Sequence, residues 1–257
     1  MSIKTRSKFY YDFEVTESAF QIPFDEGAGE LIADMFLLKF TPSQLAIEIA
    51  RAMTSTGTND YICSFNRVDR TYEITSLGST FSILGATNTA VNPAVEFLGF
   101  EAIDTPLALE QLGVNSVGKV FYPQFLLQGY VSFEDFEQAA SGTVKKTATG
   151  GVEVITFGQE SFMEFDIKYS TDIGQPKISP IEDNPAGVSD LREFMRYAIT
   201  KGNFEMMPDR GDVNVFFEVL LEKTAASKDG LGYRLKELYN KNLTGYFDTG
   251  KVTLRKI

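Results

Sequence analysis

The side chains able to do chemistry here are few in kind. None of the 257 residues is a histidine, which removes the usual general base near neutral pH, the Ser-His-Asp arrangement and the commonest metal ligand together. Acid–base work would fall to carboxylates, Lys or Tyr. Two carboxylate clusters stand out, Glu134 with Asp135 and Glu137, and Glu182 with Asp183. A catalytic pair must converge on one substrate, whereas neighbours along a strand point to opposite faces. Both clusters therefore read as solvated acidic rims.

Three further patterns invite chemistry. Gly113-Val114-Asn115-Ser116-Val117-Gly118-Lys119-Val120 satisfies the GxxxxGK part of a phosphate loop. The next position fails, because Mg²⁺ needs a hydroxyl where Val120 stands, and Pro123 opposes the helix whose N-terminus would hold phosphate. A linker with two glycine turns accounts for it better. Arg210-Gly211-Asp212 matches an adhesion triplet, yet it sits between two β-like runs with Pro208 and Asp209, so it reads as a hairpin corner. Cys63 is the sole cysteine, unable to form an internal disulfide, and a buried thiol in a reducing compartment, or in a particle assembled in one, is expected. Asn242-Leu243-Thr244 has the form of a glycosylation acceptor and carries no weight without a secretory route. There is no GxGxxG after a strand and no oxygen-rich calcium loop. No residue is assigned a catalytic, cofactor-binding or metal-binding role, no cofactor is expected, and the chain reads as a non-enzyme.

Charge narrows the partners. With 24 Lys and Arg against 35 Asp and Glu, the net charge is −11 and the isoelectric point about 4.6. Phosphate backbones meet repulsion over such a surface, and the longest basic run is only Lys145-Lys146. DNA could pass such a surface without sticking. The 22 Phe and 11 Tyr could form a sugar platform, but they fall on alternating strand positions and helix faces where core burial explains them, and Trp is missing. Apolar runs such as 35–38 and 216–221 are far short of the ~20 residues that cross a bilayer. MSIKTRSKFYYDF has basic residues with no apolar segment behind them, so a signal peptide is not expected and synthesis in a cytoplasm is.

These residues need elements to position them. Residues 9–15 alternate Phe, Tyr, Phe and Val with polar partners, a strand, and the apolar stretch 30–40 after the Gly27-Ala28-Gly29 turn is expected to pair with it. Thr41 caps a helix begun by Pro42, with Leu45, Ala46, Ile49, Ala50 and Met53 on one face and Gly57 at its end. Residues 61–76 read as a hairpin turning at 66–70, residues 80–84 as a strand or short helix, and 92–100 as a helical or turn segment. Residues 121–170 look β-rich, with 162–168 a half-exposed strand and 139–153 a mobile hairpin tip or projecting loop. Ser189 caps a second helix bearing Leu191, Phe194, Met195, Ala198 and Ile199, and Gly202 is placed for a left-handed C-terminal turn. Strands at 204–207 and 213–221, a third short helix at 233–241 and a last strand at 251–257 complete the reading.

Two segments are similar to known proteins. Leu45-Ala46, the hairpin from Tyr61 to Asn66, Phe81 to Leu84 and Leu98-Gly99-Phe100 resemble a helix-plus-hairpin module of tailed-bacteriophage virion proteins and some other large DNA viruses. The C-terminal region, with Tyr246 to Gly250, resembles the ending of phage tail or baseplate components. Together these cover about half the chain, are patterns of folding residues, and carry over no active site. The resemblance implies a tail-tip, baseplate or neck protein in a ring around a DNA-conducting channel.

The sequence thus predicts an α+β chain, β-rich with sandwich or barrel-like antiparallel sheets, an N-terminal helix-hairpin module and two further short helices. Residues 1–118 form the module, and 119–257 a β-rich domain with two amphipathic helices. The expected role is a structural subunit of a phage tail, at the distal tail, baseplate or tail tip, made in the host bacterial cytoplasm and carried in the virion. Its partners are other copies of itself and neighbouring tail or baseplate proteins, without specific DNA binding or membrane insertion. The alternatives are a head-tail neck or connector protein, a carbohydrate- or receptor-binding module using the 142–151 loop, and a weaker one, a carboxylate-dependent cell-wall hydrolase using Glu134 and Glu137.

Overall fold

The computed structural model describes residues 8–121, 131–139, 142–146, 152–156, 159–167, 191–200, 202–208, 214–224, 232–233, 236–237 and 247–257. Among these, the elements run β1 Lys8–Tyr11, β2 Phe13–Glu14, β3 Gln21–Asp25, β4 Glu30–Asp34, β5 Lys39–Phe40, α1 Pro42–Thr56, β6 Tyr61–Asn66, β7 Thr71–Ser76, β8 Ser82–Ile83 and β9 Glu110–Leu112. They continue as β10 Lys119–Phe121, β11 Val131–Ala139, β12 Gly142–Lys146, β13 Val152–Thr156, β14 Gln159–Ile167, α2 Leu191–Ile199, β15 Phe204–Met207, β16 Phe217–Thr224, β17 Lys236–Glu237, β18 Phe247–Asp248 and β19 Lys251–Lys256. The protein is β-rich with antiparallel sheets, and the described residues hold two helices.

The main sheet has seven antiparallel strands in the order β10-β1-β15-β16-β19-β14-β11. Its two faces serve different cores. On β1, Tyr10 packs with residues from α1 and the β6–β7 hairpin, while Phe9 and Tyr11 pack with α2 and the sheet's far face. Alternation along a strand produces this division directly. The neighbours agree: Val120 and Met207 join the first core, and Phe121, Phe204 and Met206 the second. A boundary at residue 118 therefore falls inside shared structure, since β1 pairs with β10 on one side and β15 on the other.

Helix α1 forms where its caps place it. The Thr41 hydroxyl accepts from the Gln44 N–H and the Gln44 side chain accepts from the Thr41 N–H, a reciprocal capping box, with Pro42 at the helix start. Leu45, Ala46, Ile49, Ala52 and Met53 are buried, and the face packs on β6 and β4. Ala52 replaces the expected Ala50 as a buried contact.

Several expectations change. The strand over 9–15 breaks at Asp12, whose φ of 67° turns the chain from the main sheet to a separate pairing of β2 with β5. Residues 30–40 thus meet it through the Phe13–Phe40 and Glu14–Lys39 pairs and a bond from the Val15 N–H to the Leu38 carbonyl, while β4 pairs with β3. Strand β3 contains Pro23 and pairs on both sides, with β4 and β8. Strand β14 keeps the alternation, with Met163 and Phe165 buried and Glu164 and Asp166 half-buried, except that Phe162 on the second face is buried beneath the Arg255 guanidinium. Gly202 is not in the left-handed region; a Cβ there would press on the Tyr197 ring. The third helix at 233–241 is overturned where it is described, because Lys236–Glu237 is a strand paired with Phe247–Asp248. Of the two readings of 139–153, a hairpin tip or a projecting loop, the described residues show a hairpin, with β12 paired to β13 from Gly142–Thr156 to Lys146–Val152.

Candidate functional site

A buried grouping of charged side chains sits where α1 meets the main sheet. Glu205 of β15 and Glu218 of β16 stand directly opposite in register, an arrangement that costs stability when like charges are left alone. They are not alone. Arg67, in the turn between β6 and β7, donates from Nε and Nη2 to Glu205 Oε2 at 3.0 and 2.9 Å. The Ser43 N–H in the first turn of α1 donates to Glu205 Oε1 at 2.9 Å. Glu218 accepts from the Thr41 hydroxyl at 2.9 Å and from Gln44 Nε2 at 3.0 Å. The first turn of α1 has no acidic residue of its own, so the sheet supplies the negative charge that a helix N-terminus favours.

This grouping is built to hold. The Glu205 side chain is fully buried and Arg67 nearly so, the guanidinium stacks 3.5 Å from the centre of the Phe216 ring, and its Nη2 also reaches Ser43 Oγ. The Arg67 carbonyl accepts from the Tyr10 hydroxyl at 2.8 Å, and burial pushes that phenol up to about 12, so it stays a donor. Tyr72, fully buried, donates to the Pro42 carbonyl. Carboxylates so engaged hold the helix against the sheet.

Two surface features are less committed. A cleft of about 720 Å³ opens between the β6–β7 turn, the 112–116 segment and the start of β1. Val68, Leu112 and Val114 are each more than half exposed around it, and Lys8 and Arg70 outnumber Asp69 in its lining. Arg70, in the left-handed region at φ 59°, is held by a bond from Nη1 to the Gly118 carbonyl. Elsewhere, Phe36, Leu37 and Leu38 are exposed by 56, 47 and 56 % between β4 and β5, and Ile47 of α1 by 71 %. The Phe36 N–H donates to Glu48 Oε1, and the Arg51 guanidinium lies 4.1 Å from the ring centre, which sets this loop against the outer side of α1. Phe36 is the one phenylalanine among the exposed large apolar side chains of the described residues.

The residues singled out by sequence scatter. Lys119 opens strand β10 instead of a helix, and its ammonium pairs with Asp12 at 2.9 Å and Glu193 at 2.8 Å. Glu134, Asp135 and Glu137 lie along β11 opposite Glu164, Met163 and Ser161, and Lys145-Lys146 on β12. Cys63 is half-buried on β6, its thiol pushed up by burial and by Glu73. Arg210-Gly211-Asp212, Glu182, Asp183 and Asn242-Leu243-Thr244 lie outside the described residues, although the strands flanking the triplet, β15 and β16, are antiparallel neighbours. Sequence reasoning missed Glu205, Arg67 and Ser43; the one available signal was Glu218, a charge interrupting the apolar run 216–221. Among the described residues no group of three or more acidic or thiol side chains could hold a metal ion, and no helix is long and apolar enough to cross a membrane.

No family model matches the chain, and no curated protein matches it.

Proposed function

We propose that the chain is a structural subunit of a bacteriophage tail, forming a ring at the distal tail, baseplate or tail tip and mediating virion assembly around the DNA channel. The observation that carries this reading is the exposed apolar loop Phe36-Leu37-Leu38 beside Ile47. Monomers rarely expose a contiguous apolar patch beyond a few hundred Å², and larger ones mark contact surfaces. In this reading α1 with the β6–β7 hairpin is the module that recurs in virion proteins, and the chain is made in the bacterial cytoplasm and carried in the particle. The partners are further copies and neighbouring tail proteins. A net charge of −11 suits a wall that DNA passes without adhering. Mass spectrometry and immunoblotting of gradient-purified virions test it. The chain is expected at several copies per particle, and its absence from virions rejects the reading.

A further inference from the structure

We propose that two copies of the chain pair edge to edge, β11 and β12 of one lying antiparallel to the same strands of a second, with Glu134 opposite Lys146 and Asp135 opposite Lys145. The contact goes beyond the tail reading and does not rest on it.

The first observation behind it is an open edge. Strand β11 ends the seven-stranded sheet and β12 pairs with β13, so among the described residues neither has a strand on its other side. The two share one register: Ala139 pairs with Gln159 and Gly142 with Thr156, three positions on along one strand and three back along the other. Nine residues of β11 and five of β12 thus present one edge, and an open edge is a template for another strand.

The second is the placement of charge along that edge. Strand β11 carries Glu134, Asp135 and Glu137 and no cation, and β12 carries Lys145 and Lys146 and no acid. In its own sheet Glu134 stands in register with Glu164 and Asp135 with Met163; Lys146 stands opposite Val152, and Lys145 opposite Glu153. An extended strand rises ~3.3 Å per residue, which keeps the acids and lysines of one edge apart. A second copy running antiparallel brings them side by side. The offset that sets Glu134 against Lys146 also sets Asp135 against Lys145 and Phe136 against Val144, and the two-fold axis repeats each pair. Opposite charges, and an aromatic against a β-branched residue, favour such cross-strand pairs. Every other antiparallel offset sets at most one acid of a copy against a lysine.

Both copies use the same surface, so the contact is isologous and closes as a pair. It involves none of residues 36–38, and a ring built through that loop is a separate association.

A charge swap tests it. Glu134→Lys with Asp135→Lys sets cation against cation in the pairing, and Lys145→Glu with Lys146→Glu sets acid against acid. Sedimentation velocity is run at about 150 mM salt, where repulsion between distant charges is screened while groups in contact still pair. The parent is expected to dimerise and each double variant to associate at least roughly tenfold more weakly, although the first variant brings the net charge nearer zero. Mixed in equal amounts, the two variants recover every opposite-charge pair and form a one-to-one dimer, as does a chain carrying all four changes. Thermal melts check that each variant folds, and Glu134→Lys and Lys146→Glu as single changes replace a double variant that does not. Cross-linking reads the register. With Cys63→Ser as background, Glu137→Cys and Thr143→Cys copies stand opposite in the proposed pairing and are expected to join as a disulfide-linked dimer on mild oxidation, whereas Glu137→Cys by itself does not. The proposal is overturned if the parent stays monomeric, if a double variant dimerises like the parent, if the mixture stays monomeric, or if the cysteines fail to join. Detection in virions decides the tail reading separately, whichever way the charge swap falls.

Discussion

A single carboxylate ties three turns together. Glu26 accepts from the Thr58 hydroxyl and N–H, the Asn59 N–H and the Tyr61 hydroxyl, at 2.6 to 3.1 Å. Burial alone would raise its pKa, but these donors outweigh burial and hold it at about 2 against an ordinary 4.5. A depressed folded value means that the carboxylate contributes its full stabilisation above about pH 4.5 and loses it as pH falls toward 2. Urea midpoints should therefore drop across that window in the parent and drop less in Glu26→Gln; identical pH profiles would remove the clamp from the account. Gly118 gives a second residue-scale prediction. Its φ is 62°, and a Cβ would run into the Phe13 ring. Gly118→Ala should destabilise by about 1–3 kcal/mol, from the left-handed backbone and the displaced ring together, read as a lower urea midpoint. Nothing in the residue's neighbours in sequence reveals the ring, though the two-glycine pattern 113–118 marks turns.

At the scale of elements, α1 was legible because its determinants are local: a cap, a proline and an apolar spacing within sixteen residues. Strand β3 was not, because Pro23 argues against a strand paired on both sides, and tertiary pairing prevails here, with Pro23 opposite Ile32 and its carbonyl accepting from Leu84. The strand at 236–237 defeated a helical spacing in the same way, by pairing with Phe247–Asp248. The junction of α1 with the main sheet was beyond sequence reasoning, since Arg67 and Glu205 lie 138 positions apart and Thr41 and Glu218 lie 177 apart. Two predictions test that junction. Arg67→Met leaves Glu205 buried without its cation and should cost about 3 kcal/mol or more, as breaking one side of a buried pair does. Thr41→Ala removes a cap and a donor to Glu218, costing about 1 kcal/mol or somewhat more. Chemical denaturation measures both, and a loss below a few tenths for Arg67→Met contradicts the role given to the pair.

For the whole molecule, charge and apolar surface oppose each other in assembly. Copies carrying −11 repel, while the Phe36-Leu37-Leu38 loop gains by leaving water. Association should therefore tighten as salt rises from about 10 mM to 150 mM and the repulsion is screened, opposite to a charge-steered complex. Sedimentation equilibrium at the two ionic strengths checks the sign. The most direct measurement of the central claim is a cryo-electron microscopy reconstruction of the tails of virions produced from the genome encoding the chain. The account predicts a closed ring of copies of this fold around the tail axis, each with residues 36–38 against its neighbour. Tails whose density is fully assigned to other proteins, with no copy of this chain, would contradict it.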